Sequence, residues 1–185
     1  MIKNDYFKKE LDKTNPAQKP TIDLFETVHK IAKKKQPEQS LEVGIAWAIT
    51  TIAILTATER GKLMSVDAAF YPNTERQVQH YKYTDRWMFV ERTSQEFLPE
   101  LVRDRMKFDL ICIDGSHTYE DVKIDMINAM KLLKDDGVLI VDDYKHKHNW
   151  DGDYGVARAV NETIKDYNMK FKIYNKAHGI VEMWR

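Results

Sequence analysis

Cysteine is almost missing from this sequence: Cys112 is the single one among 185 residues. One thiol excludes an internal disulfide framework and a cysteine-based zinc cluster, and it predicts a reducing compartment. Its neighbours Ile111 and Ile113 make Cys112 read as a small core residue rather than a reactive thiol. Net charge is absent too, with 29 lysines and arginines against 29 aspartates and glutamates. That balance, with no basic stripe, argues against a nucleic-acid partner. Long apolar runs are lacking. The most apolar stretch, Ile45 to Ala57, contains three threonines and is shorter than the roughly 20 residues of a membrane helix. No secretory signal opens the sequence, since Met1 to Pro20 is polar and of mixed charge. No repeat, low-complexity tract or internal linker is visible. These absences together predict a cytosolic protein without a membrane partner.

The chain is 43% hydrophobic, enough for the core of one globular domain. Residues 1–39 read as a loosely held arm and a helix. In that helix Thr21 is the expected cap of Ile22 to Lys35, with an apolar stripe of Leu24, Phe25, Val28, Ile31 and Ala32. Lys33, Lys34 and Lys35 suit the negative end of the helix dipole and read as a solvated end. Residues 40–185 read as an alternation of short apolar runs and helical patterns. Strands are expected over Leu41 to Ile45, Leu63 to Val66, Trp87 to Val90, Leu110 to Ile113 and Val138 to Val141. Helices are expected up to Leu55, over Thr74 to Lys82, over Phe97 to Val102, after a Thr118 cap, and over Gly155 to Tyr167. Met169 to Tyr174 and Ile180 to Trp184 read as a closing antiparallel hairpin across the turn Asn175 to Gly179. Alternating strands and helices predict an α/β fold with a mainly parallel sheet covered on both faces.

In such sheets ligands bind beyond the carboxyl ends of the strands. The first strand ends in "LEVGIAWAIT", where Glu42, Gly44, Ala46 and Ala48 let the backbone approach a ligand ahead of a helix N-terminus. An ordinary strand-to-helix turn has the same look. The second strand ends at Asp67, about 20 residues on, where an acid can accept hydrogen bonds from a ribose. After the third strand, Thr93 and Ser94 suit a helix cap as well as they suit contact with an adenine ring. The fourth strand ends in Asp114 and, three residues on, His117. The fifth ends in Asp142 and Asp143. Adjacent strands lie about 5 Å apart, so the three carboxylates crowd one pocket and repel unless a cation lies between them. Oxygen ligands suit magnesium, calcium or manganese better than zinc. The alternatives are that Asp142 caps a turn and Asp143 faces solvent. His117 is a candidate general base, or a loop histidine held by backbone. His146 and His148, in "YKHKHNWDGDYG", read as solvated surface or as part of a loop that closes over a substrate.

Taken together these residues resemble class I S-adenosylmethionine-dependent methyltransferases, a Rossmann-like fold. The match is nearest to a small group whose fourth strand ends in I-D-G-x-H-x-Y, here Ile113, Asp114, Gly115, His117 and Tyr119. The segments "LLKDDGVLIVDDY", "GVARAVNETI" and "ERTSQEFLPEL" look like others of that group, with Asp136 replacing a glycine. The resemblance spans Leu41 to Arg185 and implies a seven-stranded sheet whose last strand is inserted antiparallel. It implies that Glu42, Gly44 and Ala46 underlie the methionine part of S-adenosylmethionine, that Asp67 holds the ribose, and that Thr93 and Ser94 flank the adenine. It implies Mg2+ at Asp114, Asp142 and Asp143, with Asp114 also touching the cofactor, and His117 as base. The implied reaction is O-methylation of a small hydroxylated molecule or sugar. The motif carries a second glycine where Ala48 stands, so its methyl group either crowds the cofactor or packs the helix. Substrate contacts are expected from the N-terminal helix, Phe70 to Tyr83, Tyr144 to Tyr154 or a second subunit in a homo-oligomer. The aromatics Phe70, Tyr71, Tyr81, Tyr83, Trp150 and Tyr154 stand out there. The alternatives are a catalytically silent cofactor-binding or assembly module and an NAD(P)-dependent oxidoreductase. The absence of a glycine-rich loop and the terminal hairpin count against the oxidoreductase.

Overall fold

Seven strands form one sheet in the order β3-β2-β1-β4-β5-β7-β6. The computed structural model describes residues 19–70, 75, 78, 79, 82–151 and 154–185. The strands are β1 (Gln39–Val43), β2 (Lys62–Asp67), β3 (Trp87–Glu91), β4 (Phe108–Ile113), β5 (Leu133–Val141), β6 (Lys170–Tyr174) and β7 (Ile180–Trp184). The helices are α1 (Lys19–Lys35), α2 (Ile49–Ala57), α3 (Ser94–Arg103), α4 (Tyr119–Leu132), α5 (His148–Asp151) and α6 (Val156–Asp166). β1 to β5 run parallel to one another, while β7 is antiparallel to both β5 and β6. The chain therefore switches direction across the sheet between β1 and β4, and a crevice opens at their carboxyl ends.

Side-chain alternation divides the sheet between two cores. Leu110 and Cys112 face α1 and α2, with Ile52, Leu55, Leu63 and Ile140. Ile111 and Ile113 face α3, α4 and α6, with Leu98, Met126 and Val160. Cys112 is thus a fully buried core residue, as its neighbours indicate. Fully burying an aliphatic side chain is worth about 1.5–3 kcal/mol, so these two layers fix the strand ends on which the site depends. α2 is apolar nearly all round because it lies under α1, and its threonines turn inward to polar partners. Among the described residues no helix is long and apolar enough to cross a membrane.

Several boundaries differ from the sequence expectation. α1 begins at Lys19, so Thr21 lies inside its first turn and is not its cap. Pro20 accounts for the earlier start, because its fixed φ suits a first turn. α1 ends where Gln36 adopts a left-handed φ of 51° and Pro37 follows. Of the lysine run, Lys35 is not merely solvated, since its Nζ donates to the Asp136 carbonyl and carboxylate at 2.7 and 2.8 Å. α3 starts at Ser94, and β5 starts at Leu133. α5 is a short helical turn within a segment expected to be loop. The expected arm before residue 19 lies outside the described residues, as does most of the expected helix over 74–82.

Candidate active site

The β1–α2 turn is built around Gly44. Its φ is +83°, and a Cβ there would lie 2.1 Å from the Asp114 carbonyl oxygen. Only glycine lets these two strand ends approach so closely. Gly44 N donates to Val66 O at 2.9 Å, and Asp114 N donates to Val43 O at 2.8 Å. Asp67 ties the turn from the β2 side, its Oδ2 accepting from Ile45 N at 2.8 Å and its Oδ1 from Ala69 N at 3.1 Å. Ala46 and Ala48 also take left-handed φ values, 34° and 62°, a conformation that costs an alanine about 1–2 kcal/mol. The Ala48 side chain is fully buried in the core between α1 and α2. Its methyl group packs the helix.

Glu42 supports this turn from within the sheet. It is fully buried. Thr50 Oγ1 donates to its Oε1, while Thr51 Oγ1 and Ser65 Oγ donate to its Oε2 at 2.7 and 2.5 Å. Trp87 Nε1 donates in turn to Ser65 Oγ at 3.0 Å. Burial pushes the Glu42 carboxyl up to about 7, against the pull of the three hydroxyls.

Asp114 follows β4, and Asp142 and Asp143 follow β5. Burial raises the Asp114 carboxyl well above its usual range, and the charge of Asp142 raises it further. Asp142 moves the same way, through burial first and the charge of Asp143 second. Asp142 Oδ1 is buried without a hydrogen-bond partner. Asp142 lines a cavity of about 180 Å³ with Ile45, Ala46, Trp47, Thr50 and Asp114. Asp143 is buried rather than solvent-facing, and its φ of 59° turns its carboxylate another way. Its Oδ2 lies 2.6 Å from His117 Nε2 and its Oδ1 3.0 Å from His178 Nδ1. Burial pushes the Asp143 carboxyl up, but the His117 hydrogen bond and the charges of His117, His178 and His146 outweigh it and hold the group below its usual range. Two sets of donor atoms lie within 4.8 Å of one another, Asp114–His117–Asp143 and Asp143–His146–His178, and Asp142 belongs to neither. Asp142 and Asp143 both border a small cleft with Asp114 and His117, but of the two only Asp143 pairs with histidines.

Thr93 occupies the N-cap position of α3, without a side-chain capping bond. The Ser94 hydroxyl faces Asp125 of α4, whose carboxyl burial raises to about 7. Both Asp125 oxygens are buried. Thr118 caps α4 as expected, accepting from Asp121 N at 3.3 Å.

Two residues of this region, His178 and Asn149, were not singled out by sequence, and a third, Tyr154, was expected only among the aromatics for substrate contact. His178 comes from the β6–β7 turn, strapped to the loop after β5 by Tyr144 N donating to Gly179 O at 2.9 Å and Lys145 N donating to His178 O at 2.6 Å. Tyr154 stacks on His117 at 4.4 Å and on His146 at 4.6 Å. Asn149 fixes the loop, its Nδ2 donating to Asp143 O at 2.6 Å and its Oδ1 accepting from Ala157 N at 3.0 Å. The histidines of this loop are therefore in a packed cluster and not free surface. Of the other aromatics, Phe70 packs against Phe89 at 5.7 Å, and Tyr83 is partly buried against the α1–α2 core. Tyr71, Tyr81 and the Trp150 side chain lie outside the described residues.

A parallel sheet with β7 inserted antiparallel between β5 and β6, and with acids at the ends of β2, β4 and β5, is the fold of class I methyltransferases. The comparisons with known proteins agree. Residues 41–144 match a family described as a methyltransferase domain, and the chain belongs to that family. The O-methyltransferase hkm8 of Aspergillus hancockii is 27% identical over an alignment of 130 residues that covers 64% of this chain and 50% of that protein. The chain thus spans about half the length of this curated relative. Among solved structures, the O-methyltransferase TomG of Streptomyces achromogenes, involved in tomaymycin synthesis and in complex with SAM, has a TM-score of 0.72 and 16% identity, covering 87% of this chain and 78% of that one. A Bacillus cereus O-methyltransferase in complex with SAH has a TM-score of 0.71 and 13% identity, covering 93% and 82%. A Geobacter sulfurreducens methyltransferase has a TM-score of 0.70 and 13% identity, covering 100% and 98%. At these identities the solved structures speak to the fold.

Proposed function

We propose that this chain is an S-adenosylmethionine-dependent O-methyltransferase acting on a small hydroxylated molecule, with a divalent cation assisting. The observation that carries this reading is the convergence of Asp114, Asp142 and the Asp143–His117 pair beside the Gly44 turn. The cofactor's place is the β1–α2 turn, where Gly44, Ala46 and the start of α2 present backbone to a ligand and Glu42 holds them from beneath. Asp67 reaches a ribose beside this turn once its present backbone partners are shared, and Thr93 and Ser94 stand at the adenine end. The acids fit a cation. Asp142 Oδ1 is buried and unpartnered; burial and the charge of Asp142 hold the Asp114 carboxyl up, and burial and the charge of Asp143 hold up Asp142, a cost that a cation removes.

When bound, S-adenosylmethionine supplies a methyl group on a positively charged sulfur, and a divalent cation lowers the pKa of a hydroxyl. The chain's own groups do the rest. Asp114 and Asp142 orient the hydroxyl at the cavity mouth, where Trp47 is 70% exposed and offers a face to a flat or sugar ring. His117, held in one orientation by Asp143, accepts the hydroxyl proton as the oxygen takes the methyl group. Positioning supplies much of the rate. The test is transfer of labelled methyl groups to a panel of phenols, catechols and sugars by the wild type and by Asp114→Asn. Transfer lowered at least about a hundredfold in the variant, with its fold intact, is the expected result. Equal transfer by both proteins removes Asp114 from the site.

A further inference from the structure

Beyond the acids, the structure gathers imidazoles that methyl transfer does not call for. Asp143, His146 and His178 place donor atoms within 4.8 Å of one another. Two backbone hydrogen bonds hold the contributing loops together, Tyr144 N to Gly179 O and Lys145 N to His178 O. The rings are set as well. His146 lies flat on Tyr154, at 4.6 Å and 19°, and edge-on to His178, at 4.6 Å and 88°. Asp143 divides its carboxylate, with Oδ2 on His117 and Oδ1 3.0 Å from His178 Nδ1. That separation matches the edge of a coordination shell, because donors about 2.1 Å from a metal lie about 3.0–3.4 Å apart. His117 would then steady the ligating carboxylate through its other oxygen, as outer partners of metal ligands do.

Access is open. His146 and His178 line a cavity of about 460 Å³ with Lys145, Lys147 and Asn175. Lys145 Nζ is drawn to Asn175 Oδ1 at 2.6 Å. The cavity leaves room for water or an anionic oxygen donor in the remaining coordination positions. Two imidazole nitrogens and one carboxylate oxygen suit a borderline ion, whereas the oxygen-only set at the strand ends suits a hard one.

We propose that Asp143, His146 and His178 form a binding site for a borderline divalent transition ion of the Zn2+ and Co2+ class, distinct in its donors from Asp114 and Asp142. The site goes beyond the methyltransferase reading. The test strips the full chain of metal and titrates it with Co2+, Zn2+ and Mg2+, following visible absorption and metal content. Wild type is compared with His146→Gln and His178→Gln. Both side chains are solvent-accessible, so circular dichroism should show both variants folded. The expected result is one Co2+ per chain with a visible band, displaced by Zn2+ and not by excess Mg2+, and at least about tenfold weaker in each variant. Absence of Co2+ binding, or binding unchanged in either variant, overturns the proposal. Binding of S-adenosylhomocysteine by wild type and His146→Gln, measured separately, reports on the methyltransferase reading alone.

Discussion

Ala48 shows how opposing effects of similar size settle the role of one residue. Its φ of 62° costs an alanine about 1–2 kcal/mol, which a glycine would not pay. Its methyl group is fully buried, and a buried methyl is worth about 0.8 kcal/mol. A glycine also loses more chain entropy on folding. The terms nearly cancel, so Ala48→Gly should change stability by less than about 1 kcal/mol in urea unfolding and leave S-adenosylhomocysteine affinity unchanged. A large gain in affinity would mean that the methyl group does face the cofactor.

Among the elements, the β6–β7 hairpin matters most for the site. β7 pairs with β5, with Val141 opposite Val181, and this register carries the 175–179 turn to the loop after β5. Gly179, at φ +90°, fits against Lys145, where an added Cβ would lie 2.6 Å from the Lys145 Cβ. Gly179→Ala should therefore lower stability by about 1–3 kcal/mol and shift the His178 ring resonances in NMR spectra. Unmoved resonances would mean that the turn tolerates the side chain. The strand cores, the Thr118 cap and the closing hairpin were legible in the sequence, because period-2 and period-3.6 patterns and turn residues report local structure. His178 was not, because it reaches the site only through strand order, and strand order leaves no local mark. The different partners of Asp142 and Asp143 were hidden as well, since they depend on the left-handed turn that Asp143 takes after β5. α5 and the first residues of β5 carry no apolar alternation to betray them.

For the whole molecule, the buried acids set the response to pH. Burial moves the Glu42 carboxyl from 4.5 up to about 7 and Asp125 up to about 7, and Asp114 and Asp142 are raised as well. A raised carboxyl binds its proton more tightly in the folded state than in the unfolded one. Its contribution is present below the unfolded value of about 4.5 and is lost as pH rises through the folded value of about 7. Asp143, held low, works the other way: its contribution is present above its unfolded value and is lost as pH falls through the folded one. Its window lies below the ordinary value of 3.8, while His29 and His146, held below 6.5 by burial, oppose the fall at neutral pH. The four raised carboxyls outnumber these two, so stability should fall from pH 5 to pH 8, and a divalent cation should restore part of it. Glu42→Gln should flatten the fall by up to about 3 kcal/mol, read from urea unfolding at both pH values. Parallel profiles for the two proteins would mean that Glu42 is not a source of the slope.

The central claim is that the crevice between β1 and β4 holds an adenosyl cofactor on the Gly44 turn. Calorimetric titration of the full chain with S-adenosylhomocysteine, with and without Mg2+, tests it most directly. One molecule bound per chain with micromolar affinity is the predicted result. No heat of binding under either condition would contradict the claim, and a silent assembly module on the same fold would take its place.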